Sequence, residues 1–239
     1  MLKRILLKIS GEGFCGDTGF GIDKTAVEYF ANTIKDIVRH GVEVAVVVGG
    51  GNIVRGKQLE TLGFSRAKAD NVGMVSTLIN ALVLQDGLER LEVDAKVLST
   101  FYIHQIVDKY ILSECVEHLR NKRVVILSGG TGIPHFTTDT AAALRAIEIK
   151  ADRLLKATKV DGVYSGDPQV DKSAKKFDRL TYMDVLNKNL KVMDSTAITL
   201  CMDNNMPIIV FDMKEPQNFQ DIIKGKVVGT YIGSTENAS

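Results

Sequence analysis

Short apolar segments alternate along the chain with segments whose apolar residues recur every three to four positions. The short segments predict β-strands, and several are apolar without interruption, as is typical of strands covered on both faces. The predicted strands are residues 5–9, 42–48, 95–98, 124–127, 153–156, 207–211 and 229–232. Strands that alternate with helices in this way indicate an α/β fold, a three-layer αβα sandwich around a mostly parallel, twisted sheet.

The segments whose apolar residues recur every three to four positions predict α-helices. In the first of them the apolar pattern ends just before Gly41, a residue type that commonly follows the last helical turn. The predicted helices are residues 27–38, 72–91 and 103–119, and a fourth that begins at residues 138–139. Because no Pro- or Ser-rich segment divides the chain, we expect a single domain over residues 1–239.

Composition narrows the possible functions. The formal net charge of +1 over 239 residues gives no support for broad attraction to nucleic acid or to a membrane surface. No apolar run is long enough to span a bilayer, and the charged, short N-terminal run does not match a signal peptide. Cys15, Cys115 and Cys201 are widely separated, so we expect free thiols in a reducing cytoplasm.

Two strand ends in the N-terminal half carry residues suited to phosphate. Lys8 interrupts an apolar strand just before a Ser-Gly turn; it could reach a phosphate, or extend to solvent from an edge strand. The glycines 49–51 permit close backbone approach and positive φ. Residues 51–58 nearly match a P-loop, but Gln58 replaces the Ser/Thr that binds Mg²⁺. Arg55 is available to a phosphate or to solvent.

Two further strand ends lie in the second half of the chain. Residues 131–138 carry threonine hydroxyls into the start of a helix, where unpaired N–H groups favour anions, although Thr138 and Asp139 could be an ordinary cap. Residues 156–168 end a strand and lead to Tyr164 and Asp167, which could hold an adenine and its ribose or form a structural turn.

Taken in this order, these segments resemble the bacterial-type uridylate kinases of the amino acid kinase family, from residue 3 to about residue 232. The resemblance rests on Gly-Gly-Gly-Asn-x-x-Arg-Gly at 49–56, Thr-Gly-x-Pro-x-Phe-Thr-Thr-Asp at 131–139, Ala-Thr-Lys-Val-Asp-Gly-Val at 157–163 and Lys-Val-Met-Asp at 191–194. It implies an amino acid kinase-like fold and transfer of the ATP γ-phosphate to UMP, which gives ADP and UDP in pyrimidine nucleotide biosynthesis.

The resemblance also implies roles for individual residues, with the UMP site mainly in the N-terminal half and the ATP site mainly in the C-terminal half. The implied catalytic residues are Lys8, Asp139 and Asp194. The implied ATP-binding residues are Lys8, Ile9, Ser10, Gly11, Gly51, Arg55, Thr158, Tyr164 and Asp167. The implied UMP-binding residues are Gly50, Asp70, Thr131, Gly132, Ile133, Pro134, His135, Phe136, Thr137 and Thr138. The region linked to GTP activation is Gly16, Asp17, Thr18, Gly19, Phe20 and Gly21.

The family likeness further implies Mg²⁺ held through the ATP phosphates, activation by GTP, inhibition by UTP and a homohexamer. The chain departs from the family pattern at Ile133, which cannot donate an amide hydrogen bond, and at His135. Basic residues found in some relatives are absent near Gln85 and Glu89, and Lys96 stands where an arginine can occur.

Two other functions remain open from the sequence. One is a kinase of the same fold that acts on an amino acid or a carbamate, although Asp70 and the threonine-rich loop favour a nucleoside monophosphate. The other is a catalytically silent nucleotide-binding oligomer, either a storage protein or a sensor. The four histidines have no spacing typical of metal ligands, so no protein-bound metal is expected.

Overall fold

The fold is a single large sheet with helices on both faces, seen in a computed structural model that describes residues 2–168, 170–226 and 228–234. The strands are β1 Arg4–Ile9, β2 Glu43–Val48, β3 Ala95–Ser99, β4 Asp108–Lys109, β5 Val124–Ser128, β6 Arg153–Thr158, β7 Val163–Tyr164, β8 Lys176–Phe177, β9 Arg179–Thr181, β10 Ile208–Asp212 and β11 Thr230–Gly233. The helices are α1 Lys24–Arg39, α2 Gly56–Thr61, α3 Arg66–Glu89, α4 Leu112–Arg120, α5 Thr138–Glu148, α6 Tyr182–Asn187, α7 Ser195–Asp203 and α8 Pro216–Ile223.

The main sheet has nine strands in the order β4-β3-β5-β2-β1-β6-β10-β11-β9. From β4 to β10 every neighbouring pair is parallel, whereas β11 runs antiparallel to β10 and parallel to β9. Both edge strands are short, with two residues in β4 and three in β9. The mostly parallel sheet predicted from the alternation of strands and helices is therefore confirmed.

Side chains of the central strands alternate between two apolar cores, as the period of a strand requires. In β1, Ile5, Leu7 and Ile9 face the core formed with α1, α3 and α8. Leu6 faces the opposite core, which α4, α5, α6 and α7 complete. Lys8 follows Leu6 by two positions, so it points to this second side of the sheet.

The predicted helix over 103–119 is wrong in its first half. Helix α4 begins only at Leu112. Before it, Gln105 has a left-handed φ of 67°, and Ile103 forms a bridge with Val107, so the chain turns back on itself and cannot be helical. Strand β4 then adds to the sheet edge beside β3.

The charged segment 171–179 contributes β8 and the start of β9. Strand β8 pairs with β7 in a small hairpin separate from the main sheet. Elsewhere, α3 begins at Arg66, six residues before the predicted start at position 72.

Across the described residues, no helix combines the length and apolar character needed to cross a membrane.

Candidate active site

The four strand ends singled out in the sequence meet at one edge of the sheet. Strands β5, β2, β1 and β6 are consecutive neighbours and run parallel, so their carboxyl ends lie side by side. Strand β1 has β2 on one side and β6 on the other. In open parallel sheets, ligands bind in the crevice at such a reversal of strand order.

Lys8 and Lys156 share one carboxylate at the centre of this crevice. The Nζ of Lys8 lies 2.9 Å from Oδ1 of Asp139, and the Nζ of Lys156 lies 2.8 Å from its Oδ2. Lys156 also donates to the carbonyl of Val192. The three charged side chains are each less than one-fifth exposed. The cluster therefore places two cations, held by one anion, where the ends of β1 and β6 meet.

Burial and charge act in opposite directions on the Asp139 pKa. Burial alone raises it, but the ammonium groups of Lys8 and Lys156 more than compensate and hold it below the ordinary value of 3.8. Burial lowers the pKa of Lys156, as does the charge of Lys8, while Asp139 acts in the opposite direction. Asp139 is therefore ionised at neutral pH.

The glycines after β1 and β2 are required by close packing between two backbones. A Cβ on Gly11 would lie 2.4 Å from the nitrogen of Gly51, and one on Gly49 would lie 2.7 Å from the nitrogen of Gly11. A Cβ on Gly50 would meet the Oγ of Ser76 at 2.0 Å. A Cβ on Gly51 would meet nothing within 4 Å, so this glycine borders open space.

Positive φ, the other property anticipated for glycines 49–51, is absent there. It occurs instead in the loop after β5, where Gly129, Gly130 and Gly132 have φ values of 79°, 60° and 79°. The reason is local: the β5 loop turns sharply toward α5, whereas the β2 loop runs alongside the β1 loop. The side chain of Lys57, from the near-match to a P-loop, lies outside the described part of the structure.

Arg55 forms an ion pair with Glu12. Its guanidinium lies 2.6 Å from Oε1 of Glu12, and both side chains are about half exposed. Arg55 also donates to the carbonyl of Gly51 at 3.4 Å. The ion pair connects the loop after β1 with the loop after β2, at the entrance to the crevice.

The threonine-rich loop ends in a helix cap, one residue earlier than expected. Thr137, and not Thr138, caps α5, and its hydroxyl accepts from the N–H groups of Asp139 and Thr140. Thr137 also donates to Asp194, which accepts from the Thr140 hydroxyl at 2.9 Å and caps α7 through the N–H of Ala197 at 2.9 Å. Asp194 therefore fixes the starts of α5 and α7 relative to each other.

Asp70 lies on α3 opposite this loop. Its carboxylate accepts from the backbone N–H of His135 at 2.8 Å and from Nε of Arg66 at 2.9 Å. His135 has a left-handed φ of 75°, and its side chain is exposed, as are those of Ile133 and Phe136. The loop and Asp70 thus face the same space. The remaining predicted loop residues, Thr131, Gly132, Pro134 and Thr138, are half-buried.

A cavity of about 780 Å³ opens beyond β6 and is lined by all three predicted ATP-binding residues of the C-terminal half. Its lining residues include Lys8, Ser10, Lys156, Thr158, Tyr164 and Asp167. Tyr164 donates to Asp161 at 2.6 Å, and this hydrogen bond raises the pKa of the Tyr164 phenol. Ile9 is fully buried in the core, so only its backbone faces the site.

The predicted GTP region borders a separate cavity of about 580 Å³. Gly16, Asp17 and Thr18 line it together with the start of α1. Gly19 has open space around its Cα, and Phe20 is exposed. Gly21 is tied to the β2 loop by hydrogen bonds with Asn52.

Two elements of the site were not predicted. Lys156 was recognised only as the end of a strand, although a lysine in an otherwise apolar run, like Lys8, was the available signal. The second element is a buried amide pair, Asn52 and Asn80, whose side chains bond to each other at 2.7 and 3.1 Å. No sequence signal links these residues, since they are separated by 28 positions.

The chain is similar in sequence and in fold to proteins of one known family. The sequence model of the amino acid kinase family matches residues 3–212. A uridylate kinase from Legionella pneumophila is 52% identical over 98% of this chain and 95% of its own length. The crystal structure of UMP kinase from Bacillus anthracis superposes with a TM-score of 0.95 at 40% identity and covers 98% of this chain and 97% of that one.

The UMP kinase from Ureaplasma parvum superposes with a TM-score of 0.92 at 35% identity, over 98% of this chain and the whole of that one. Proteins that share only a fold need not match the same family model or be 52% identical over nearly the whole chain. With its two lysines joined by one aspartate at the ends of adjacent parallel strands, this chain belongs to the amino acid kinase family.

Proposed function

We propose that this protein is a kinase that transfers the γ-phosphate of ATP to UMP, giving ADP and UDP. The observation that carries the proposal is the Lys8–Asp139–Lys156 cluster, which places two ammonium groups between the large cavity beyond β6 and the threonine-rich loop. The relatives named as uridylate or UMP kinases cover nearly the whole chain and support the choice of UMP.

The chemistry needs positioning and charge more than covalent help, because phosphoryl transfer passes through a loose, highly charged transition state. The UMP phosphate attacks the γ-phosphorus in line and needs no general base at neutral pH. Lys8 and Lys156 stabilise negative charge on the migrating group, and Asp139 keeps both ammonium groups in place. The backbone N–H groups of Gly50 and Gly51 bind the phosphates from the side of β2, whereas the N–H of Gly49 is engaged by the carbonyl of Ile9 at 2.9 Å.

Mg²⁺ fits this site as a companion of ATP. The nearby carboxylates are already engaged, Asp139 by two lysines, Asp194 by two threonines and Glu12 by Arg55. We therefore propose that Mg²⁺ would be held through the phosphates of ATP and would supply neutralisation of their negative charge.

We assign the substrates to the two sides of the lysine cluster within one domain, 1–239. The proposed ATP-binding residues are Lys8, Ile9, Ser10, Gly11, Gly51, Arg55, Thr158, Tyr164 and Asp167. The proposed UMP-binding residues are Gly50, Asp70 and 131–138. Asp70 would bind sugar hydroxyls once the His135 N–H is displaced from its carboxylate. Asp194 acts indirectly, by anchoring Thr137 and the start of α5.

A homo-oligomer, in the family a hexamer, is part of the proposal. Support comes from α3, whose outward residues Val72, Val75 and Ile79 recur at helical spacing and are each at least 40% exposed. Such an apolar stripe on a helix is typical of a contact surface. GTP activation through residues 16–21 and inhibition by UTP remain proposals carried by the family resemblance.

A cytoplasmic location is also proposed. Cys15, Cys115 and Cys201 are all buried free thiols. Burial raises the pKa of Cys115 and of Cys201 to about 12, so both remain protonated at neutral pH. Unpaired thiols are typical of proteins in a reducing compartment.

A coupled assay of ADP release with UMP, CMP, dUMP and acetylglutamate as acceptors tests the proposal. We expect turnover with UMP to exceed that with the other acceptors. Preference for acetylglutamate would favour the same-fold kinase acting on an amino acid. Binding of ATP and UMP without UDP formation would identify a silent storage or sensor protein.

A further inference from the structure

The buried amide pair Asn52–Asn80 lies directly behind the glycine loop. Both residues have 0% of their surface exposed. Asn80 Nδ2 donates to Asn52 Oδ1 at 2.7 Å, and Asn52 Nδ2 donates to Asn80 Oδ1 at 3.1 Å. Such reciprocal bonding between two amides fixes the orientation of both side chains, because each must present its donor to the other's oxygen.

The second hydrogen of each amide reaches the backbone of a different loop. Asn80 Nδ2 donates to the carbonyl of Gly49 at 2.7 Å, and Asn52 Nδ2 donates to the carbonyl of Gly21 at 2.7 Å. The N–H of Gly21 returns a bond to the Asn52 carbonyl at 2.9 Å. A Cβ on Gly11 would lie 2.7 Å from Asn52 Oδ1. The pair therefore joins the loop after β2 to Gly21, in the loop after β1, and to α3.

The hydrogen bond from Asn80 to the Gly49 carbonyl determines the direction of the Gly50 N–H group. The carbonyl of Gly49 and the N–H of Gly50 belong to one planar, trans peptide unit and point in opposite directions. Holding the Gly49 carbonyl against α3 therefore directs the Gly50 N–H away from α3. Gly50 is one of the residues assigned to UMP.

We infer that Asn80 is a positioning residue for phosphoryl transfer, which acts by fixing the Gly49–Gly50 peptide. The inference rests on the proposed function. Asn80 touches neither nucleotide in this scheme; its effect passes entirely through the backbone of the glycine loop. An amide is required, because the side chain must donate twice and accept once in a space closed to water.

The first test compares Asn80→Leu with Leu88→Ala, a fully buried change on the same helix outside the amide network. Kinetics are measured on the folded fraction of each variant, as determined by circular dichroism. We expect Asn80→Leu to lower kcat at least about tenfold, because small displacements of catalytic donors are costly. We expect Leu88→Ala to lose stability but keep its kcat within about twofold of the wild type.

The second test uses Asn80→Asp, which preserves the shape of the side chain and is the variant to rely on if the leucine variant fails to fold. An ionised carboxylate repels the oxygens of Gly49 and Asn52, whereas a protonated one has a hydrogen to donate. We expect its kcat relative to wild type to rise as the pH falls from about 8 to about 6.

A kcat within about twofold of wild type for folded Asn80→Leu, or a pH-independent ratio near one for Asn80→Asp, would overturn the inference. Failure of the proposed function looks different, since the wild-type protein would then form no UDP from UMP and ATP.

Discussion

Lys8 and Lys156 are register partners across the β1–β6 pair. Directly paired residues of neighbouring strands project to the same face of a sheet, so both side chains leave toward α5. There Asp139, in the first turn of α5, meets one lysine with each oxygen. The sheet itself thus sets the spacing between the two cations, and the helix supplies the anion that keeps them together.

Removal of either lysine should reduce turnover with limited effect on folding. We expect Lys8→Ala to lower kcat by roughly 10²-fold or more, comparable to the loss of a preorganised charge-stabilising donor. Asp139 retains Lys156 as its partner in this variant. Steady-state kinetics with a coupled ADP assay measure the effect, with Lys24→Ala on the exposed start of α1 as the control. Wild-type turnover of Lys8→Ala would remove Lys8 from the mechanism.

Because the pKa of Asp139 is lowered in the folded protein, its contribution to the free energy of unfolding should depend on pH. A carboxyl whose folded pKa is depressed adds stability that is complete above its unfolded pKa, about 4, and is lost as the pH falls through the folded value. The difference in unfolding free energy between wild type and Asp139→Asn should therefore shrink as the pH falls from about 7 to about 3. Urea denaturation measures it, and exposed Asp36→Asn serves as the control. A constant difference would contradict the paired, ionised state.

Because Glu12 is paired with Arg55, we expect loss of the Glu12 charge to strengthen ATP binding. Without nucleotide, the Glu12 carboxylate occupies the guanidinium that we assign to ATP, at 2.6 Å. Exposed ion pairs of this kind are worth about 0–1 kcal/mol, so Glu12→Gln should lower the KM for ATP by about two- to fivefold. The KM for UMP should be unchanged. The matched control is Asp86→Asn, which breaks an exposed pair with Arg90. A raised KM for ATP would mean that Glu12 supports Arg55 and does not compete with the nucleotide.

Asp194 should affect UMP binding through Thr137 and not through direct contact with UMP. Asn caps helices as well as Asp does, whereas Ala costs about 1 kcal/mol. We therefore expect Asp194→Asn to keep its stability, yet to raise the KM for UMP because an amide accepts fewer hydroxyl bonds at Thr137 and Thr140. Thermal unfolding and UMP kinetics separate the two effects. An unchanged KM in Asp194→Asn would show that this anchor is dispensable.

The exposed stripe on α3 predicts a concentration-dependent assembly. A charge at Val75, which lies between Val72 and Ile79, should dissociate the proposed oligomer because burying an unpaired ammonium is costly. Sedimentation velocity of Val75→Lys should give a smaller species than wild type. Val170→Lys, at an exposed site away from α3, is the control and should sediment as wild type does. Identical sedimentation of Val75→Lys and wild type would place the contact elsewhere.

The central strands could be predicted from sequence almost to the residue. Residues 5–9, 124–127 and 153–156 correspond to β1, β5 and β6 because each contains a short apolar run, as is typical of strands covered on both faces, and each is too short for a helix. The C-terminal helices α6, α7 and α8 were not predicted. They are short, with six, nine and eight residues, so an apolar period has little room to repeat.

The site could be predicted in its parts but not in its contacts. Lys8 and the glycines at 49–51 are unusual in or beside a buried strand, so their residue types alone indicated function. The pairing of Lys156 with Asp139, and of Asn52 with Asn80, depends on how α5 and α3 pack on the sheet. Such tertiary placement leaves no trace in local sequence pattern.

The two-residue β4 and three-residue β9 at the margins of the sheet have a consequence for association. Margins this short present few unpaired amides and carbonyls, so a second chain gains little by extending the sheet, and fibrillar growth through strand addition is discouraged. The proposed contact between copies would therefore use helical surfaces, where side-chain shape can discriminate self from other proteins.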